Sequence, residues 1–106
     1  SRALINLIRN AIQAIPQSRE GRIRIQMKDF GTNVEISISD NGKGIPSDLC
    51  DKIFVPNFTT KSSGAGLGLA ITKNIIESFG GTIRFETKEQ IGTTFFINLP
   101  IAERIS

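Results

Sequence analysis

Two pairs of alternating apolar and polar runs limit what this chain can fold into. Arg22-Ile23-Arg24-Ile25-Gln26-Met27-Lys28 puts Ile23, Ile25 and Met27 on one side, and Val34-Glu35-Ile36-Ser37-Ile38-Ser39-Asp40 does the same with Val34, Ile36 and Ile38. A two-residue period belongs to a strand with one buried face. Phe30-Gly31-Thr32-Asn33 separates the runs, so an antiparallel hairpin is the natural reading. Residues 82–87 and 94–99, joined across 88–93, read as a second hairpin. Helical spacing fills the rest. Residues 2–15 carry Leu4, Ile8, Ala11 and Ile15 on one stripe, with Asn6, Asn10 and Gln13 on another, and Pro16 ends them. Leu67, Ile71, Ile75 and Phe79 recur every four residues, Lys73 and Glu77 pair on the outer side, and Gly80-Gly81 closes the helix. Residues 47–63 read as irregular, with one helical turn around 49–53. The expected fold is α+β: a two-layer α/β sandwich whose mixed, mostly antiparallel sheet is covered on one face by helices.

A length of 106 residues suits one domain with a single core. The hydrophobic fraction of 39% and charged fraction of 22% fit a globular protein rather than a disordered one. No apolar run reaches the roughly 20 residues that span a bilayer, and no signal peptide is visible. Helical spacing starts at the first residue without a capping signal, so residues 1–106 are expected to be an N-terminally truncated domain. Thirteen basic residues against ten acidic give a net charge of +3. They are spread along the chain, densest at Arg19, Arg22, Arg24 and Lys28, and read as solvated strand faces rather than a nucleic-acid surface. Cys50 is the one cysteine, which excludes an internal disulfide and points to a reducing compartment. With no histidine to activate it, the thiol reads as a packing group.

The chemistry-bearing residues lie between these elements. Asp40 ends a half-buried strand on its apolar face, where a carboxylate needs a partner or a purpose. Asp40-Asn41-Gly42-Lys43-Gly44-Ile45-Pro46 is followed by Phe58-Thr59-Thr60-Lys61 and then Gly64-Ala65-Gly66-Leu67-Gly68-Leu69. Glycine lets backbone N–H groups approach phosphate oxygens closely. Two commoner motifs fail. The dinucleotide fingerprint needs a glycine where Leu69 stands and a strand before it, and a P-loop needs Ser or Thr after Gly42-Lys43, where Gly44 stands.

A third pattern fits. The sequence resembles the ATP-binding catalytic domain of sensor histidine kinases, in the gyrase, Hsp90, histidine kinase and MutL ATPase superfamily with its Bergerat-type fold. Residues 6–11 look like the N box, 40–46 like the first glycine box, 53–61 like the F box, and 64–70 like the second glycine box. Gly92-Thr93-Thr94-Phe95 looks like the closing glycine–threonine element. The resemblance covers about residues 4–100 and implies roles. Asp40 would accept a hydrogen bond from the adenine amino group, with Thr93 supporting it and Gly42, Gly44 and Ile45 beneath base and sugar. Asn10 would be the Mg²⁺ ligand. Asn6 stands where ATP-hydrolysing members place a glutamate base, which favours phosphoryl transfer over hydrolysis. Gln13, Lys61 and the start of the second helix, with Gly64, Gly66, Leu67, Gly68 and Leu69, would line the phosphates. Phe58, Thr59 and Thr60 would belong to a short lid that looks most like the nitrogen-regulation type. Asn57 departs from the usual aromatic or proline. The cofactors implied are ATP and Mg²⁺. The partners are a dimerisation domain bearing the acceptor histidine and a downstream response regulator. The full-length protein would be a homodimer with this domain in the cytoplasm; the sequence leaves open whether the full protein is anchored in the inner membrane. Readings left open are a nucleotide-binding regulatory module without phosphotransfer and a serine kinase of the anti-sigma-factor type.

Overall fold

In the computed structural model, residues 2–55 and 67–101 are described, Arg2, Leu67 and Gly68 by their backbone alone. The elements run α1 (Arg2–Ala14), β1 (Ile23–Asp29), β2 (Asn33–Asp40), a 3₁₀ turn (Ser47–Leu49), α2 (Leu67–Ser78), β3 (Thr82–Lys88) and β4 (Gly92–Pro100). Both hairpins form as the alternation requires. They join through β2 and β4 into one sheet of order β1-β2-β4-β3. Every pairing among the described residues is antiparallel, so no parallel neighbour of the expected mixed sheet occurs there.

Register turns the sheet into rungs of side chains that share a face. Ile25, Ile38, Phe95 and Phe85 stand opposite one another across the four strands, and Met27, Ile36, Ile97 and Ile83 form the next rung. The helices pack on this face. Ile38, Phe95 and Ile97 are buried there with Ala3, Leu7 and Ala11 of α1, Leu69 and Ile76 of α2, and Ile53. Phe54 meets Phe85 and Phe95 edge-on, at centroid separations of 5.9 and 6.5 Å. The opposite face is polar: Ser39 bonds Thr94 at 2.9 Å, and the Arg84 guanidinium stacks 3.9 Å over Phe96.

Three packing expectations are corrected. In α1 the buried stripe is Ala3, Leu7 and Ala11, while Leu4 and Ile8 are only half-buried. The small alanines let α1 pack closely against both β2 and α2. In α2 the four-residue recurrence misleads. Ile71 and Phe79 are 53% and 68% exposed, Ile75 is half-buried, and Leu69, Ala70, Thr72 and Ile76 are inside. At 3.6 residues per turn a strict repeat of four drifts about 40° each step, so four such positions leave any one face. In β1, Ile23, Ile25 and Met27 do share the helix-side face, yet they are 37%, 54% and 69% exposed. The helices cover β2, β4 and β3 and stop short of this edge strand. The α2 terminus is as expected: Gly80 N–H donates to the Glu77 carbonyl and Gly81 N–H to that of Ile76, closing the helix with a Schellman pair.

Candidate nucleotide site

One rung beyond Ile38, the same sheet face changes from apolar to polar. Ile23, Asp40, Thr93 and Thr87 stand opposite one another there. Asp40, at the last position of β2, is half-buried. The Gly42 N–H donates to its Oδ1 at 2.8 Å, and the backbone N–H of Thr93 also bonds the carboxylate. Burial pushes the Asp40 pKa up, and these two bonds pull against it without cancelling it. Thr93 belongs to β4 rather than to the connecting loop, and it is buried. Its hydroxyl lies 2.8 Å from that of Thr87. Thr87 accepts from the Ile45 N–H at 2.8 Å and reaches the Gly92 carbonyl at 3.3 Å.

The first glycine stretch is clamped by the chain itself. Lys43 N–H donates to the Ala14 carbonyl at the end of α1, and a β-carbon on Gly42 would sit 2.5 Å from that oxygen. Gly44 adopts φ +75°, and a β-carbon there would collide with the Lys88 carbonyl. Gln90 N–H donates to the Lys43 carbonyl at 2.6 Å. Arg19 is not on a solvated strand face. It lies between α1 and β1, and its Nη1 donates to the carbonyls of Asn41 (2.6 Å) and Gly42 (2.8 Å). The Asn41 side chain donates to the Glu20 carbonyl at 2.8 Å and accepts from the Arg22 N–H at 2.7 Å. The loop is therefore preset between α1 and both hairpins.

On α1, Asn6 Nδ2 donates to Thr72 Oγ1 of α2 at 3.4 Å, so its amide faces the other helix. Asn10, one turn on, is half-buried, and its Nδ2 is buried without a hydrogen-bond partner. Gln13 is exposed. Leu69 is 4% exposed and packs in the core, so its side chain is a structural support. Leu67 and Gly68 open α2. Phe58, Thr59, Thr60, Lys61, Gly64 and Gly66 lie outside the described residues, as does the expected lid. Cys50 is half-buried, and its Sγ reaches the Pro46 carbonyl at 3.6 Å. Burial, followed by the charges of Asp51, Asp48 and Glu89, raises its pKa and keeps it a thiol. No group of three or more His, Cys, Asp or Glu that could hold a metal occurs among the described residues.

Sequence reasoning missed Thr87, Arg19 and Thr72. Thr87 was findable through register. Once the turn is confined to residues 89–91, Thr87 falls opposite Thr93.

The family model described as histidine kinase-, DNA gyrase B- and HSP90-like ATPase matches residues 1–103. The sensor histidine kinase ZraS of Escherichia coli K12 is 48% identical over 101 residues, which is 95% of this chain and 21% of that protein. The C4-dicarboxylate transport sensor protein DctB of Rhizobium meliloti is 43% identical, over 91% of this chain and 15% of its own length. The chain thus spans about a fifth or less of these relatives. The solved catalytic domain of histidine kinase ThkA superposes with a TM-score of 0.80 at 41% identity, covering 93% of this chain and 65% of that one. Matched by the family model over residues 1–103, the chain belongs to the family of histidine kinase-, DNA gyrase B- and HSP90-like ATPases, as an ATP-binding catalytic domain of the sensor histidine kinase kind.

Proposed function

We propose that this domain binds Mg²⁺-ATP and donates its γ-phosphoryl group to a histidine on a separate dimerisation domain. The observation that carries the reading is Asp40: a half-buried carboxylate held by two backbone N–H groups at the sheet's end, beneath a preset glycine loop. Such an acceptor takes a hydrogen bond from the adenine amino group. Guanine presents a carbonyl at that ring position, which leaves two acceptors facing each other. Thr93, across the rung, faces the same base edge directly or through one water.

The phosphates would extend from this floor toward α1 and the start of α2. The buried Nδ2 of Asn10 has no hydrogen-bond partner and is free to donate to a phosphate oxygen, while the oxygen of the same amide is a hard donor suited to Mg²⁺. Bound there with the phosphate oxygens, Mg²⁺ would supply charge neutralisation for the transferred group. Gln13, Lys61 and the backbone of Gly64, Gly66, Leu67 and Gly68 are assigned to the phosphates, and Phe58, Thr59 and Thr60 to the lid. Asn6 bonds Thr72 and, as an amide, abstracts no proton from water. Its catalytic part is positional: it holds α1 against α2 and leaves the phosphoryl group for an acceptor supplied from elsewhere.

The 106 residues include no histidine, so the acceptor belongs to another segment or chain. We assign it to a dimerising, His-bearing helix of a homodimeric kinase, with a response regulator next in line. The domain would work in the cytoplasm, with an anchor elsewhere in the full-length protein holding it to the inner membrane. No described helix is long and apolar enough to cross a membrane. The test supplies ATP labelled on the γ-phosphate together with the dimerisation domain in trans. Acid-labile phosphohistidine on the added domain is expected. ATP binding without any label on that domain would instead identify a regulatory nucleotide-binding module.

A further inference from the structure

We propose that Thr87, which lies outside every motif of the chain, is a positioning residue for purine selection. It fixes the Thr93 hydroxyl as a proton donor toward the base edge beside Asp40. The inference rests on the nucleotide-site reading above and refines it.

A threonine hydroxyl has one proton to give and two lone pairs to receive with. Thr87 Oγ1 receives the Ile45 N–H at 2.8 Å, so one lone pair is committed to the glycine loop. In the 2.8 Å contact with Thr93 Oγ1 either hydroxyl could be the donor, and the Gly92 carbonyl at 3.3 Å is the other acceptor within reach of the Thr87 proton. Placed in the shorter contact, which has the normal O–H···O length, the Thr87 proton goes to Thr93. The reverse order, Thr93 donating to Thr87 and Thr87 to Gly92, would leave the nucleotide preference undiminished in Thr87→Val. Thr93 then receives from Thr87 and keeps its own proton for the site. With Asp40 as acceptor and Thr93 as donor, the rung presents the complement of adenine's Watson–Crick edge, an amino donor beside the N1 acceptor. Guanine offers a carbonyl and an N1–H, mismatched at both positions. Without the Thr87 hydroxyl, Thr93 turns its proton to whichever acceptor is nearest, and the donor half of the readout is no longer fixed.

Thr87 also joins three segments: its own strand β3, the loop at Ile45, and β4 through Thr93. A purely structural bolt would do the same, so the test must separate the two roles. In the full-length protein, equilibrium dissociation constants for ATP and GTP are measured by displacement of a fluorescent ATP analogue. The wild-type protein, Thr87→Ser and Thr87→Val are compared. The wild type should prefer ATP. Thr87→Ser, which keeps the hydroxyl, should retain that ratio within about twofold. Thr87→Val should lower the GTP-to-ATP ratio about tenfold, the size of one neutral hydrogen bond. Thr93→Val should lower it similarly, and the double variant should lose little more, because both act through one proton.

Equal weakening of ATP and GTP in Thr87→Val, with the ratio intact, would overturn the proposal and leave Thr87 a bolt. So would loss of the ratio in Thr87→Ser. Where Thr87→Val yields no folded protein, Thr87→Cys is close in size with only a weak donor, and it carries the same comparison. A wild-type protein that binds neither nucleotide, or both alike, refutes the nucleotide-site reading itself, an outcome distinct from an altered ratio.

Discussion

Asp40 shows function and stability pulling in opposite directions on one side chain. Its folded pKa is raised, with burial the leading cause. A raised carboxylate contributes stability that is fully present below the ordinary value of 3.8 and is lost as pH rises through the folded pKa. Near neutrality the ionised group therefore weighs against the fold. Asp40→Asn removes that charge at nearly constant volume, so the urea midpoint should stay the same or rise. ATP affinity should fall roughly tenfold to a hundredfold, the loss of a hydrogen bond to a charged acceptor. The two readouts moving apart is the signature of a ligand-facing carboxylate, and a fall in both would mark Asp40 as a structural group instead. Its pH dependence has a definite sign. Adenine's amino group favours the ionised carboxylate, so binding expels the proton. ATP affinity should drop as pH falls through the Asp40 titration, with an edge above the usual aspartate range. Asp40→Asn should lack that edge while sharing the change due to the phosphates, which makes it the reference curve for a calorimetric pH series. Asn10→Ala has the opposite profile. It removes an amide whose buried Nδ2 has no partner, so it should leave the unfolding free energy in urea within about 0.5 kcal/mol while reducing the gain in ATP affinity on adding Mg²⁺.

The glycine loop behaves as an element of its own, held by α1 on one side and the β3–β4 turn on the other. Gly44→Ala would force a β-carbon onto the Lys88 carbonyl at φ +75°, where side chains are already strained. A destabilisation of about 2 kcal/mol or more is expected in urea unfolding, because both segments are backbone and neither yields easily. A cost below about 0.5 kcal/mol would mean that the turn is free to move away. At this scale the sequence was legible where period and spacing alone decide. The two hairpins, the helix closed by Gly80-Gly81, and the placement of Asp40 at a strand end all follow from alternation and turn chemistry. What stayed hidden depends on which neighbour an element meets. The buried face of α2 is decided by α1 and the sheet, so Leu69, Thr72 and Ile76 go inside while Ile71 and Phe79 do not. Arg19 looked like one more surface cation because its acceptors, the carbonyls of Asn41 and Gly42, are 22 and 23 residues away. Thr93 was legible as a motif residue but not as a strand residue, and Thr87 was hidden with it, since the pair exists only through the β3–β4 register.

Across the whole molecule, core and site are successive rungs of one sheet face. Ile38 and Phe95 fill the apolar rung, and Asp40 and Thr93 follow it at the next inward-facing position on the same strands. A slip of one residue between β2 and β4 would turn the carboxylate away along with the core side chains. The register that buries the core is therefore the one that assembles the floor of the site. The exception is β1, which extends the same rungs beyond the reach of the helices and leaves Ile25 and Met27 bare on the face where Ile38 is buried. Two substitutions on that face should then differ sharply in this chain. Ile38→Ala empties a position that is 1% exposed and should cost about 3 kcal/mol, the usual range for a buried aliphatic truncation. Met27→Ser acts where the side chain is 69% exposed and should cost less than about 0.5 kcal/mol. Urea midpoints at unchanged slope give both values. A cost above about 1 kcal/mol for Met27→Ser would show that this apolar face is covered in solution, and that the packing which sets the register of the site extends beyond β2.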